Sequence, residues 1–379
     1  QTLYGLGYKN GSEAGAYFTV IANPSLKWET QISTDIALEF GLFDCLTGTI
    51  EYFKKDSKDL LFDVSQPASV GVTSIIQNIG KVTNSGVEIE LDYNAFKNKD
   101  WSVSVGANAT FVKNKIKNLP ATMKENGYIS GSKKWLEGKS IYEFWLRQWH
   151  GVDPQTGDGL YVADVSKYNQ GNIGTGDGNI TQSQFDEYKK TVVTIDGKEL
   201  TNSYTYAKYD FSGSSIPDVF GGFNVRVSYK NFDLAAVFSY QLGGQVLDTN
   251  YATMMSMTEF GYAQSPDLLK AWKQAGDITE VPRIDNSAAH TTNIGQSYST
   301  RWLTSSDYLN LRSVTIGYQF PKAWLSKVML KSARLNLTAE NLFMLKARQG
   351  LNPMANYSGV TYNEYMPSRN ITLGLNVSF

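Results

Sequence analysis

The chain has 379 residues, 35 basic against 36 acidic for a net charge of −1, with 41% hydrophobic and 13% aromatic residues, among them 23 Tyr. Balanced charge argues against nucleic acid as a partner, the single Cys45 permits no internal disulfide, and two histidines, His150 and His290, are too few for a histidine-built metal site. Mean hydropathy is −0.31, and no run of about 18 apolar residues exists to make a helical span; a barrel strand, which wets half its residues, is compatible with both facts.

Gln1-Thr2-Leu3 opens the chain with neither an initiator methionine nor a charged region followed by an apolar core. The expectation is a piece of a longer protein, without signal peptide. Strand patterning begins near residue 30 and continues to the last residue with no Pro/Ser linker, so one architecture is expected throughout.

In chain order, two-residue alternation marks Ile32 to Phe40, Leu46 to Lys54, Val87 to Asn94 and Trp101 to Phe111. Such strands have one greasy and one wet face. The wet face of the third carries Glu88, Glu90 and Asp92, three carboxylates that a dry core would desolvate at large cost. Ile141 to Trp149 is a weaker strand inside the excursion from about Val112 to Val219. That excursion enters and leaves on one side, so it holds no spanning strand or an even number.

Alternation resumes at Phe223 to Lys230 and Phe232 to Leu242. A loop from Gly243 to Tyr308 follows, with a helix expected after Ser265: Ser265 as N-cap, Pro266 at the first position, Asp267 in the first turn and Gly276 as the stop. Val314 to Phe320, Ala333 to Asn341 and the terminal Asn370 to Phe379 complete the set. Ten residues match one tilted crossing of a bilayer. In the last strand Ile371, Leu373, Leu375, Val377 and Phe379 form the expected lipid face, closing and assembling a barrel. Short links at 41–45, 95–100 and 230–231 and a moderate one at 321–332 alternate with long ones at 55–79, 112–219, 243–308 and 345–369, the pattern of an outer-membrane barrel with short periplasmic turns. Phe379 then lies on the periplasmic side.

Several motifs together resemble SusC/RagA-type TonB-dependent outer-membrane transporters of Bacteroidetes. They are Asn23-Pro24-Ser25-Leu26-Lys27-Trp28-Glu29, the stretch from Asn78 to Glu88 containing Asn84-Ser85-Gly86, and Gly151-Val152-Asp153-Pro154-Gln155-Thr156-Gly157-Asp158. Pro217 to Phe223, Tyr308 to Tyr318, Glu340-Asn341-Leu342-Phe343 and the terminal strand continue the series. The resemblance implies an all-β fold, a transmembrane antiparallel β-barrel in which residues 1–379 are the later, C-terminal strands of an about 22-stranded plugged barrel with long extracellular loops. The plug domain and signal peptide would lie outside this chain. It further implies TonB-dependent import of oligosaccharides or peptides with a SusD-like surface lipoprotein, TonB acting through an N-terminal region, dimers of transporter and lipoprotein pairs, and an outer-membrane location in a Gram-negative bacterium. A non-transporting adhesin barrel or a soluble carbohydrate-binding β-sandwich is the alternative.

Among local features, Asn84-Ser85-Gly86 reads as a flexible element before a strand, Gly80 as a bend, and Trp28 and Tyr318 as girdle residues. Gly174-Thr175-Gly176-Asp177-Gly178-Asn179-Ile180 invites a calcium-loop reading, but aligning Gly178 with the loop glycine puts Ile173, Thr175 and Gln184 where acidic ligands belong. Asp153, Asp158 and Asp164 read as a solvated acidic loop. Trp135, Trp145 and Trp149, with Tyr142 and Phe144, are the candidate substrate-contacting aromatics, since flat rings suit sugars and peptide side chains, although a girdle or packing role is the favoured reading for them. Arg283 and Arg301 flank another loop and are open to polar substrate. No Gly-x-Ser-x-Gly elbow, Cys/His pairing or zinc signature is present, so no enzyme and no cofactor is expected.

Overall fold

The computed structural model describes residues 2–66, 68–78, 80–176, 178–257, 261, 263–285, 287, 290, 293–295 and 298–379. Ile79 of the Asn78 to Glu88 motif and Asp177 of the glycine-rich loop lie outside them. The chain divides into two compact units, one of residues 1–93, 108–130 and 134–141, the other of residues 94–107, 131–133 and 142–379.

In the first unit, β1 (Thr30–Leu42) and β2 (Leu46–Lys58) form an antiparallel hairpin in unbroken register from Thr30↔Lys58 to Leu42↔Leu46. Phe43 and Asp44 turn it with φ of 56° and 55°, a left-handed stretch that composition did not announce, since Asn or Gly is the usual choice. β3 (Lys81–Lys97) pairs with β2, and β4 (Trp101–Asn118) lies beside β3. One face of this meander carries Ile36, Leu38, Ile50, Tyr52, Ile89 and Leu91; the other carries Glu39, Glu51, Glu88 and Glu90. The alternation dictates this sorting, because a register slip of one residue would exchange the two faces.

Asn84-Ser85-Gly86 is not a hinge ahead of the strand but sits inside β3. A Cβ on Gly86 would strike the Phe53 ring and the Phe111 carbonyl, so glycine is there for close approach rather than flexibility. Gly80 does bend the chain, with φ of 133°. Above the strands a small core forms from Val64, Val82, Ile116, Leu119 and Met123, with Phe62 and Trp135 packed on it.

β4 is divided, its residues 101–107 belonging to the second unit, where the strand order is β4, β7, β8, β9, β10, β11, with β7 Val219–Tyr229, β8 Phe232–Leu242, β9 Tyr308–Gln319, β10 Ser332–Glu340 and β11 Asn370–Ser378. β7 lies next to β4 in that order, so the excursion between them adds no strand to this sheet among the described residues. The Ile141 to Trp149 segment does contain a strand, β5 (Glu143–Arg147), but it pairs with β6 (Tyr209–Ser214) in a separate loop sheet. The alternation of buried Phe144 and Leu146 with Trp145 and Arg147 was enough to specify a strand, not the sheet it would join.

The registers Leu234↔Ile316, Ile316↔Leu337 and Leu337↔Leu373 place a continuous apolar row on one face. On the opposite face Thr315 and Thr338 share a hydroxyl hydrogen bond of 3.0 Å, and Arg334 on β10 reaches across β9 to Asp233 on β8 with two bonds of 2.7 Å. Gly317 makes that reach possible, since a Cβ there would occupy the guanidinium's place. At the short-turn end the apolar row finishes in rings: Trp101 against Tyr229 at 4.3 Å, Phe232 against Tyr318 at 4.6 Å, and Tyr318 against Phe320 at 5.1 Å. This agrees with the girdle role expected of Tyr318. Trp28 precedes β1 and is 92% exposed.

In this sheet Leu375 is 62% exposed and shares its face with Leu335. If this face meets hydrocarbon, Leu375→Arg places a cation at mid-strand there, at an expected loss of about 2–4 kcal/mol or failed assembly, read from denaturant unfolding in bilayers. Unchanged assembly and stability would mean that this face never meets lipid.

Candidate functional site

The long loops of the second unit fold on a core of their own, built from Phe144, Leu146, Leu247, Ala252, Met255, Leu268, Trp302 and Val360. β5 explains how a loop can do this: Phe144 and Leu146, fully buried, point into that core, while Trp145 and Arg147 occupy the other face. There Trp145 stacks on Tyr209 (6.2 Å, 13°) and meets Phe211 edge-on at 4.9 Å. The Arg147 guanidinium lies 4.9 Å from Tyr204 and 4.6 Å from Tyr209. The result is a half-buried aromatic and guanidinium platform suited to planar or ring-shaped groups.

A second feature lies around α2 (Thr249–Met254), which the Asp248 carboxylate caps by accepting from Tyr251 N at 2.9 Å. Ala252 faces the core, whereas Asn250 and Thr253 line a pocket of about 370 Å³. Its far wall is made by residues 348–352 together with Thr361 and the stretch 363–365. Buried Asp248 pairs with Arg348, whose guanidinium sits 3.5 Å from the Tyr251 ring centroid. The Tyr251 hydroxyl donates to Asp267 at 2.8 Å; burial and this carboxylate push that hydroxyl's pKa up, and Lys270 holds Asp267 below the usual carboxylate range.

Most polar groups of the pocket are already engaged. Asn250 Oδ1 accepts from Asn363 N, Asn352 Nδ2 donates to the Tyr365 carbonyl, and Glu364 accepts from Tyr362 N and Asn356. What remains without a partner among the described residues is Asn250 Nδ2 and the Gln349 and Asn363 side-chain amides, beside a Tyr365 side chain 96% exposed. Amides and an exposed ring can bind hydroxyls or peptide groups.

The sequence-predicted residues fall differently. Trp135 belongs to the first unit, where it packs on Phe62 and Tyr128 and donates Nε1 to the Ile141 carbonyl at 3.1 Å. Trp145 and Trp149 belong to the second. Trp149 packs edge-on against Tyr161 at 5.1 Å and under Arg301 at 4.7 Å. Arg301 is not an open loop arginine: it is clamped between Trp149 and Trp302, and burial lowers its pKa to about 10.

Arg283 is likewise engaged, pairing with Asp158 and Asp285 at 3.2 Å each. Trp272 donates to the Pro154 carbonyl at 3.0 Å, and His290, only 7% exposed, meets the Arg283 carbonyl at 2.8 Å. The Gly151 to Asp158 motif is thus a turn that locks one long loop to another, and His290 is part of the lock. The pull on Trp272 also explains why the helix after Ser265 is short: a 3-10 turn from Pro266 to Lys270 ends at Ala271, with ψ of 147°. Gln184, set against the calcium loop's terminal ligand, instead closes a capping box with Thr181 at the start of α1 (Gln182–Thr191). Asp164 binds Ser166 and Lys167 N, apart from the Asp158 pair.

A family profile described as TonB dependent receptor-like, beta-barrel matches residues 1–172. TonB-dependent receptor P3 of Formosa agariphila is 29% identical over 96% of this chain and 36% of its own length. TonB-dependent receptor SusC of Bacteroides thetaiotaomicron is 24% identical over 94% of this chain and 32% of its own length. The solved RagAB peptide importer in its closed-closed state matches with a TM-score of 0.77 at 25% identity, covering 100% of this chain and 38% of that one. Over residues 1–172 the chain matches the TonB-dependent receptor-like β-barrel family, and along nearly its whole length it is similar to SusC/RagA-type TonB-dependent receptors.

Receptors of this family are outer-membrane proteins, and the apolar row running from Leu234 to Leu373 is the face such a barrel would turn to lipid. The β-sandwich alternative is thereby removed, and the family is one of receptors rather than enzymes. This receptor chain spans about a third of the length of the relatives it matches.

The pocket depends on the Asp248 and Arg348 pair. Arg348→Met leaves a buried carboxylate unpaired and is expected to cost about 3–5 kcal/mol, while the double change Asp248→Leu with Arg348→Met recovers most of it. Thermal unfolding of the loop region, followed by limited proteolysis, checks both. An equal loss in single and double variants would contradict the pairing as the organising contact.

Proposed function

We propose that this chain is the C-terminal barrel portion, residues 1–379, of a receptor that imports oligosaccharides or peptides across the outer membrane, powered through TonB and working with a SusD-like surface lipoprotein. The carrying observation is the combination of a polar wall on one face of the strands with a long-loop pocket that offers unpaired amides and an exposed tyrosine ring. The short turns are periplasmic and the long loops external in this reading, because external loops are the long ones in outer-membrane barrels. A similar solved assembly is called a peptide importer and a similar receptor is SusC, which supports cargo larger than a free ion or simple nutrient.

In this reading Trp145 and its platform present a flat apolar surface to cargo, and Asn250, Asn363 and Tyr365 contribute a separate polar grip. Trp135 and Trp149 support the loops from behind. Ile371, Leu373, Leu375 and Val377 hold the closing strand against lipid, and Phe379 anchors it at the periplasmic interface. Pairing of two receptor and lipoprotein units is compatible with this arrangement.

The triple variant Asn250→Ala, Asn363→Ala, Tyr365→Ala in the complete receptor is expected to lower TonB-dependent uptake of peptides or oligosaccharides about tenfold, equivalent to about 1.4 kcal/mol of lost binding. Cell-surface receptor levels should stay constant. Uptake at the unaltered rate would remove the pocket from the transport path. Surface retention of cargo that is indifferent to loss of TonB would instead favour an adhesin.

A further inference from the structure

On β4 the outward row runs Ala109 and Phe111 and then changes to Lys113, Lys115 and Lys117, all three exposed. The residues between them turn the other way: Asn114 is 9% exposed and hydrogen-bonded to Asn84 and Ser140, and Ile116 is 2% exposed in the core of the first unit. The three ammonium groups therefore leave the strand on the side opposite that core. On β2 the same change occurs, where Tyr52 on the apolar face is followed two residues later by Lys54. Lys54 and Lys81 are engaged by Asp56 at 3.9 and 3.1 Å, whereas Lys113, Lys115 and Lys117 have no carboxylate partner among the described residues.

We infer that Lys113, Lys115 and Lys117 form a binding strip for the phosphate groups of an anionic membrane lipid in the leaflet at the long-loop end of the strands.

Three observations carry it. The row lies on the lipid face, directly beyond the last apolar residue, so its lysines emerge where hydrocarbon gives way to head groups. The apolar stretch from Trp101 to Phe111 covers about 33 Å of strand, about 25 Å of height at the usual tilt, which is the thickness of the apolar band in such barrels. Adjacent lysines on one face are about 7 Å apart, close enough for neighbouring ammonium groups to share one phosphate or bind successive ones. Their stems can lie along apolar surface while the charges reach the interface, and basic groups in that position are attracted to anionic lipid through a field that salt screens. Asp56 is already shared by Lys54 and Lys81, and among the described residues no carboxylate pairs with Lys113, Lys115 or Lys117, so a lipid phosphate relieves their mutual repulsion. This inference rests on the lipid-facing orientation of the strands and not on import.

The test uses the complete receptor in nanodiscs holding equal phosphatidylglycerol and phosphatidylcholine, with lipids that survive detergent extraction counted by native mass spectrometry. Retained phosphatidylglycerol should exceed phosphatidylcholine at least tenfold, fall below threefold in Lys113→Gln/Lys115→Gln/Lys117→Gln, and be restored in the corresponding triple Arg variant. Raising sodium chloride from 50 to 500 mM should shrink the preference, while inorganic phosphate at millimolar concentration should not displace the lipid. These exposed positions lie outside the packed core, and heat-modifiable migration of the barrel confirms folding of each variant. Equal retention of the two lipids by the unaltered receptor, or an undiminished preference in the Gln variant, would overturn the assignment. Loss of an acidic protein partner in the Gln variant with lipid retention unchanged would assign the strip to that partner instead.

Discussion

Every backbone amide and carbonyl that enters hydrocarbon has to be paired within the protein, and that requirement governs the rest of this molecule. Strands satisfy it only by bonding to neighbours on both sides, which fixes a period of two and gives each strand a greasy and a wet face. The unbroken registers from β1 to β2 and from β7 to β8 are the direct expression of this constraint. Once the backbone is committed, side chains do the sorting. Ile316, Leu337 and Leu373 lie in one row, and Thr315, Thr338 and Thr372 in the other. Glycines appear where a polar side chain must cross a neighbouring strand, as Gly317 does beneath the Arg334 and Asp233 pair.

Outside the hydrocarbon the constraint disappears and a different physics takes over. The long loops are free to choose their own structure, and they use a conventional globular core around Phe144, Leu247 and Trp302. Charged groups there are paired in specific ways: buried Asp248 with Arg348, partly exposed Asp158 with Arg283, Arg301 between two indoles. Such pairs contribute modestly to net stability, but breaking one leaves an uncompensated charge, so they fix the loop arrangement. Binding surfaces are the residue of that packing, formed by what the core and the pairs leave unused.

This division explains what the sequence could and could not tell. Strand existence, the two faces, the short turns and the aromatic belt at Tyr318 follow from local period and composition, which is why Trp101 to Phe111 and Asn370 to Phe379 were legible without a structure. The strand at Glu143–Arg147 was legible as a strand, yet its sheet was not, because sheet membership is set by contacts with Tyr209–Ser214 far along the chain. The pocket was missed for the same reason. Asp248 before Tyr251 and Ala252 is a readable N-cap signal, but nothing local links it to Arg348, one hundred residues later. Trp149, Arg283 and Arg301 looked available for cargo because residue type alone does not reveal a partner, and the helix after Ser265 stops early because Trp272 is drawn to Pro154. Sequence resemblance supplied the family; the loops had to be seen.

The most direct test of the two-faced sheet is a cysteine scan along β10 and β11 in the complete receptor, with Cys45 changed to Ser and each single cysteine probed in native outer membranes by a charged, water-soluble maleimide. Alternation is predicted, with Thr338, Thr372 and Asn376 positions labelled and Leu337, Leu373 and Leu375 positions protected until the membrane is dissolved. Uniform labelling along both strands, or protection of the threonine and asparagine positions in place of the leucines, would contradict the account.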